Sequence, residues 1–154
     1  MGKTKAEQFR YPVRMWQDED QEIGVEVAGL GPQAFLVTHG HDWDHAREMA
    51  REILTLHLEG VFERGFEAPA PPASLQKDGQ HWEWVSPAAP VAVAFAIRKM
   101  RRDAGLTQGE AAARVGKKQA TWQRWENPRL CNAELKTLEE IAQSFGRQLE
   151  VAFK

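Results

Sequence analysis

Apolar and polar positions alternate with a period of two over three early stretches. In "FRYPVRMW", Tyr11, Val13 and Met15 fall on one side and Arg10, Pro12 and Arg14 on the other, the pattern of a half-buried strand. A charged turn, "QDEDQ", leads to "EIGVEVAGL", which sets Ile23, Val25 and Val27 against Gly24, Glu26 and Ala28. "QAFLVT" follows a turn at 29–32. Connections this short favour an antiparallel meander. From Trp43 to Phe62 the period changes. Ala46, Ala50, Ile53, Leu54, Val61 and Phe62 recur every three or four residues, opposite Arg47, Glu48, Arg51, Glu52 and Glu59, which predicts an amphipathic helix. Asp42 is its expected N-cap, Asp44 a carboxylate in its first turn and Gly65 its stop.

"EAPAPPASLQKDGQ" is too rich in proline for a regular element, and "HWEWV" after it alternates as a fourth strand. "SPAAP" reads as a linker, placing one domain at residues 1–86, the linker at 87–90 and a second domain at 91–154. The second domain reads as helices. "VAVAFAIRKMRRDAG" stops at Gly105, "TQGEAAARVG" runs from a Thr107 cap to Gly116, "QATWQRWEN" stops before Pro128, and "AELKTLEEIAQSFG" ends at Gly146. The tail "QLEVAF" alternates Leu149, Val151 and Phe153 as a strand does. Such a strand needs a partner, and two stay open: its twin in a dimer or its own domain.

Composition places the 154 residues, with 42% hydrophobic and 27% charged positions, among soluble globular chains. No apolar run is long enough to span a membrane, and "MGKTKAEQFRYPV" has neither the apolar core of a signal peptide nor a good myristoylation signal. One cysteine, Cys131, excludes an internal disulfide and suits a reducing compartment. The expected location is the cytoplasm. Charge is divided along the chain. Residues 1–90 carry 8 Lys/Arg against 15 Asp/Glu, a net of −7, and residues 91–131 carry 9 against 3, a net of +6. That division predicts two modules with different partners.

"LTQGEAAARVGKKQATWQRWENP" carries the strongest signal. A Thr-capped helix, a small-residue face of Ala111, Ala112 and Val115, a tight turn at Gly116 and a second short helix from Gln119 make helix-turn-helix grammar. The segment 97–145 resembles the Cro/cI-type (XRE) helix-turn-helix family through Leu106, Thr107, Gln108, Ala112, Gly116, Gln119, Trp122, Trp125 and Glu126. The resemblance implies that Gln108, beside the Thr107 cap, anchors a phosphate. Gln119, Thr121 and Gln123 would face base edges, with Arg124 and Asn127 near the backbone. Gln reads adenine through paired hydrogen bonds, and Lys117, Lys118 and Arg129 supply the salt-sensitive phosphate term. Lys117 departs from the apolar turn residue usual in the family, and Ala120 from the usual Ser. Trp122 and Trp125 are expected as core anchors, not as base-stacking groups.

"THGHDWDHA" places three histidines and two aspartates within seven residues. It resembles the zinc-binding H-x-H-x-D-H of the metallo-β-lactamase family. Here two residues, Asp42 and Trp43, separate the second His from the Asp, and only His57 and His81 follow as further ligands. The metal reading, a hydrolase using His39, His41 and Asp44, stands beside a plainer one, a strand end, a Gly turn and an Asp cap.

The order of elements from "YPV" onward resembles the HicB family of antitoxins. The residues carrying this are Tyr11, Pro12, Val13, Thr38, His39, Gly40, Ala46, Pro69, Pro71 and Pro72. "AGLGPQAF" and Asp44-His45 depart from the family's turn and post-cap pattern. The resemblance implies an α+β fold: a small β-β-β-α-β domain, a partial relative of ribonuclease H, followed by an all-α helix-turn-helix domain. It implies a non-enzymatic antitoxin of a type II toxin–antitoxin system that needs no cofactor. Its partners would be a basic HicA-like toxin, an mRNA endonuclease whose active site it blocks, and the operator double-stranded DNA through which it represses its own operon. A homodimer is expected, since one helix-turn-helix reads only half a site. Independently of that family, a −7 segment suits a basic, RNA-binding partner. Asp18, Glu19, Asp20, Glu22 and Glu26 either join that contact or only solvate a hairpin. The other binding-class reading is a stand-alone repressor whose first domain senses a ligand.

Overall fold

In the computed structural model residues 9–153 are described; the amino-terminal "MGKTKAEQ", from which a leader was argued against, and Lys154 lie outside the described residues. The chain divides into two compact units, residues 1–89 and 90–154. No helix among the described residues is long and apolar enough to cross a membrane.

The first unit is built as the alternation predicts. β1 (Tyr11–Gln17), β2 (Ile23–Val27), β3 (Leu36–Gly40) and β4 (His81–Val85) form one antiparallel sheet in the order β3-β2-β1-β4. Val13 lies opposite Val27 and Met15 opposite Val25, and Thr38 flanks Val25 on the other side. This register puts Tyr11, Val13, Met15, Ile23, Val25 and Val27 on one buried face. α1 (Trp43–Glu63) covers that face with Ala46, Ala50, Leu54, Leu58 and Val61. Leu54 and Leu58 are wholly buried, each contributing about 1.5–3 kcal/mol by leaving water. Leu58 completes a stripe that the sequence pattern extended to Ile53 and Phe62, which are only half-buried. The Pro-rich loop is tied to the sheet where the Tyr11 hydroxyl donates to the Pro69 carbonyl at 2.6 Å.

The opposite sheet face carries Trp16, Trp82 and Trp84. Arg10 lies over Trp84 at 4.2 Å and Arg14 over Trp16 at 4.8 Å, while Arg14 also pairs with Glu26 at 3.1 Å. Trp16 rests across Gly24, where an added Cβ would come within 2.3 Å of the indole. The indole N–H of Trp82 donates to Asp78 at 2.9 Å. The guanidinium and carboxylate partners let the aromatic face meet solvent.

The second unit contains α2 (Ala89–Asp103), α3 (Gln108–Arg114), α4 (Gln119–Trp125) and α5 (Leu135–Ser144). Ile97, Ala111, Ala112, Trp122, Trp125 and Ile141 form its core. With the preceding sheet and helix this completes the α+β architecture. The strand expected over 148–153 is not formed: among the described residues that tail has no ladder partner, and Val151 and Phe153 are 62% and 99% exposed. Alternation alone makes no strand, because a strand's N–H and C=O groups need a second chain segment to pair with.

Candidate nucleic-acid interface

α3 opens on a reciprocal cap. Thr107 Oγ1 accepts from the Glu110 N–H at 3.2 Å, and the Thr107 hydroxyl donates to the Glu110 carboxylate at 3.1 Å. Ala111 and Ala112 carry no bulk beyond Cβ, so α4 can cross closely. Gly116, at φ 68°, makes the turn, and the Lys117 N–H closes it on the Ala112 carbonyl at 2.9 Å. Lys117 therefore occupies a well-formed turn despite departing from the usual apolar residue. α4 then begins at Gln119 without a side-chain cap from Lys118.

Trp122 and Trp125, three residues apart, anchor one side of α4 in the core, their rings 5.8 Å apart and edge-on. Trp122 also meets Phe145 at 6.1 Å. Their burial turns Gln119, Ala120, Gln123 and Arg124 outward. Ala120, given no role above, sits at the centre of that outward face. Thr121 does not share it. It is half-buried and lies about 160° around the helix from Gln123, on the flank leading to the core. Lys117, Lys118 and Arg124 are exposed and make no ion pair among the described residues. Arg129 is exposed beyond α4, where the Asn127 side chain accepts its N–H at 3.0 Å.

Gln108 is engaged inside the unit: its Nε2 donates to Glu126 Oε2 at 2.7 Å. Gln119 approaches the start of α3, so that a Cβ on Gly109 would meet Gln119 Oε1 at 3.4 Å. Thr107, Gln108 and Gln119 thus lie along one seam between the two helices, with Gln123 and Arg124 following along α4.

Arg101 and Glu126 carry a role that the sequence pattern left unassigned. Arg101 donates through Nε to Glu126 Oε1 at 2.6 Å and through a terminal nitrogen to the Leu106 carbonyl at 3.0 Å. Glu126 is 1% exposed, and its charge also favours the cationic form of buried Arg98, whose pKa desolvation lowers. The only signal in sequence was a lone Glu beside Trp125, which spacing cannot match to an Arg twenty-five positions earlier. These side chains take positive charge out of the exposed set and hold α2, α3 and α4 in one arrangement.

In the first unit the histidine cluster resolves into local contacts. The His41 N–H donates to His45 Nδ1 at 3.1 Å, and His41 Nε2 lies 3.3 Å from Asp42. His39 lies 3.6 Å from Glu22, and Asp44 accepts from Arg47 at 2.9 Å. Asp42 caps α1 by accepting from the His45 N–H at 2.7 Å, the bond that holds its carboxyl below the usual range. Gly40 allows the helix to start there, since a Cβ would come within 2.3 Å of the Ala46 nitrogen. His39, His41 and Asp44 do not converge, and among the described residues no group of three His, Cys, Asp or Glu is placed to hold a metal ion. The plainer reading of "HGHDWDH" accounts for its geometry. In the β1–β2 hairpin, Asp18 accepts from the N–H groups of Asp20 and Glu22, each at 2.9 Å. Glu19 and Asp20 face solvent.

Residues 92–151 match the family described as a helix-turn-helix domain. Among solved structures, the chain is similar to the antitoxin HicB of Burkholderia pseudomallei, at 20% identity, over 70% of this chain and 96% of that one, with a TM-score of 0.43. No curated protein matches it.

Proposed function

We propose that this chain is a non-enzymatic regulator whose second unit binds double-stranded DNA as a dimer and whose first unit binds a basic toxin protein. The observation that carries the DNA reading is the outward face of α4. Trp122 and Trp125 fix the helix from behind, so Gln119, Gln123 and Arg124 are presented in front beside the unpaired Lys117 and Lys118. Amide side chains on a helix narrow enough for the major groove read base edges, and unpaired cations neutralise phosphates. A core-only role for the helix requires neither. Asn127 and Arg129, just beyond α4, serve the backbone contacts.

The antitoxin reading rests on the HicB-like residues of the first unit and on its charge. The partner is a HicA-like mRNA endonuclease, basic because it binds RNA, and the net −7 of residues 1–90 attracts it. Autorepression follows from joining the two activities in one chain. A second reading, a stand-alone repressor that senses a small ligand, is favoured by one feature, an open groove lined by Leu30, Phe35, His57, Arg64, Phe66 and Pro69.

Co-expression with the small reading frame adjacent to the gene separates them. A stable complex by size exclusion with light scattering, and growth rescued by the full chain, is the expected result. No complex and no growth defect from the neighbour would leave the repressor reading. Binding to the DNA upstream of the gene is expected in either case, and its loss at moderate salt in Gln123→Ala/Arg124→Ala tests the α4 face.

A further inference from the structure

We propose that residues 148–153 form an antiparallel strand with the same residues of a second copy, centred on Val151. The tail carries the alternation of a strand, Leu149, Val151 and Phe153 against Gln148, Glu150 and Ala152. Among the described residues its own unit offers no ladder, and Val151 and Phe153 stand in solvent. Of the two partners the sequence left open, strand pairing within its own domain is the one not made among the described residues, although Leu149 is half-buried there. The need for a second copy rests on the DNA reading above, since two half-sites require two related subunits.

Charge and pattern select the register. Residues directly opposite in an antiparallel pair point to the same side of the ribbon. Pairing an odd position with an even one would split the apolar residues between both sides. Centring on Glu150 would oppose two carboxylates and set Phe153 against Arg147. Centring on Val151 sets Leu149 opposite Phe153 of the second copy, Val151 opposite its twin, and Glu150 opposite Ala152. All six apolar side chains then share one side. A two-stranded ribbon is marginal alone, so its apolar side must be covered by the paired units. Leu130 and Leu135, both exposed in the same unit, are the further apolar groups there.

The test uses the full chain without DNA, so dimerisation and DNA binding can fail separately. In sedimentation velocity the protein should be a dimer, and Val151→Asp, which sets two carboxylates opposite each other on the apolar side of the ribbon, should weaken it at least about tenfold without changing the helical circular dichroism. In the proposed register Val151→Cys places two thiols at bridging distance, so mild oxidation should give a covalent dimer. Glu150→Cys, with its twin about 7–8 Å away, should not. Cys131 is buried and supplies the uncross-linked control. A wild-type monomer, an unweakened Val151→Asp dimer, or equal cross-linking of the two cysteine variants would each overturn the proposal.

Discussion

Arg101 Nε and Glu126 Oε1 are 2.6 Å apart, and this pair ties α2 to the residue that closes α4. The Arg101 side chain is 12% exposed and Glu126 is nearly inaccessible. Glu126→Ala removes the acceptor of both Arg101 and Gln108 and leaves a guanidinium in low dielectric without its counter-ion. The expected cost is about 3–5 kcal/mol. Hydrogen exchange under native conditions should show it in amides of residues 90–154, with those of β1 and β2 unchanged. A loss below about 1 kcal/mol would mean that water replaces the carboxylate.

The exposed cations are expected to act additively and without sequence preference. Each of Lys117→Ala, Lys118→Ala and Arg124→Ala should reduce the slope of log affinity against log salt by about 0.9 if it contacts one phosphate. Gln123→Ala should leave the slope unchanged and cost about 1–3 kcal/mol of discrimination at one base pair. Titrations of one duplex at four salt concentrations distinguish the two classes. A slope change in Gln123→Ala, with none in the lysine variants, would place the DNA elsewhere.

Gly40 serves close packing, and its replacement should be the costliest single change around the histidines. A Cβ there would lie 2.3 Å from the Ala46 nitrogen and 2.6 Å from its Cα, backbone atoms that cannot rotate aside. Gly40→Ala is expected to destabilise the first unit by about 2–3 kcal/mol, at the upper end of ordinary overpacking. The exposed His39→Ala and His41→Ala should stay within about 0.5 kcal/mol. Thermal melts of the three variants provide the comparison. The reverse order would restore a special role to the imidazoles.

What the sequence revealed and what it hid differ by the range of the contacts involved. β1 and β2 were legible because one buried face forces a period of two, and α1 because Asp42 and a three-to-four spacing are local signals. The turn at Gly116 and the inward Trp122 and Trp125 were legible for the same reason. The pairing of β4 with β1 was not written locally, since His81 and Met15 meet across sixty-six positions. Nor was the Arg101–Glu126 bond. Thr121, grouped with Gln119 and Gln123 by the family resemblance, differs from them in helical angle: Gln119 and Gln123 lie one turn apart, while Thr121 is half-buried on the flank leading to the core. The tail's alternation was legible as a pattern but its partner was not, because a strand is defined by the segment it pairs with.

Tyr11 should remain protonated in the folded protein well above its ordinary pKa. Burial beneath the Pro-rich loop disfavours the phenolate and pushes the value up from 10.0, and the hydroxyl donates to the Pro69 carbonyl. The unfolded chain loses this proton near pH 10 while the folded chain keeps it, so the contribution is fully present below that pH. Stability falls as pH rises from there toward the folded value. The buried Cys131 thiol is also pushed up by desolvation and weakens the protein in the same direction, so the informative quantity is the difference between wild type and Tyr11→Phe. The variant should lose about 1–2 kcal/mol at neutral pH with its hydrogen bond, and its stability should decline less steeply above pH 10. Tyr11 is the chain's one tyrosine, so the phenolate absorbance that wild type gains over Tyr11→Phe follows its ionisation, the phenol titrating near 10 when unperturbed. Phenolate should appear only together with loss of the β-sheet circular dichroism. A smooth titration near pH 10 with the fold intact would show that the Tyr11–Pro69 contact opens freely to water.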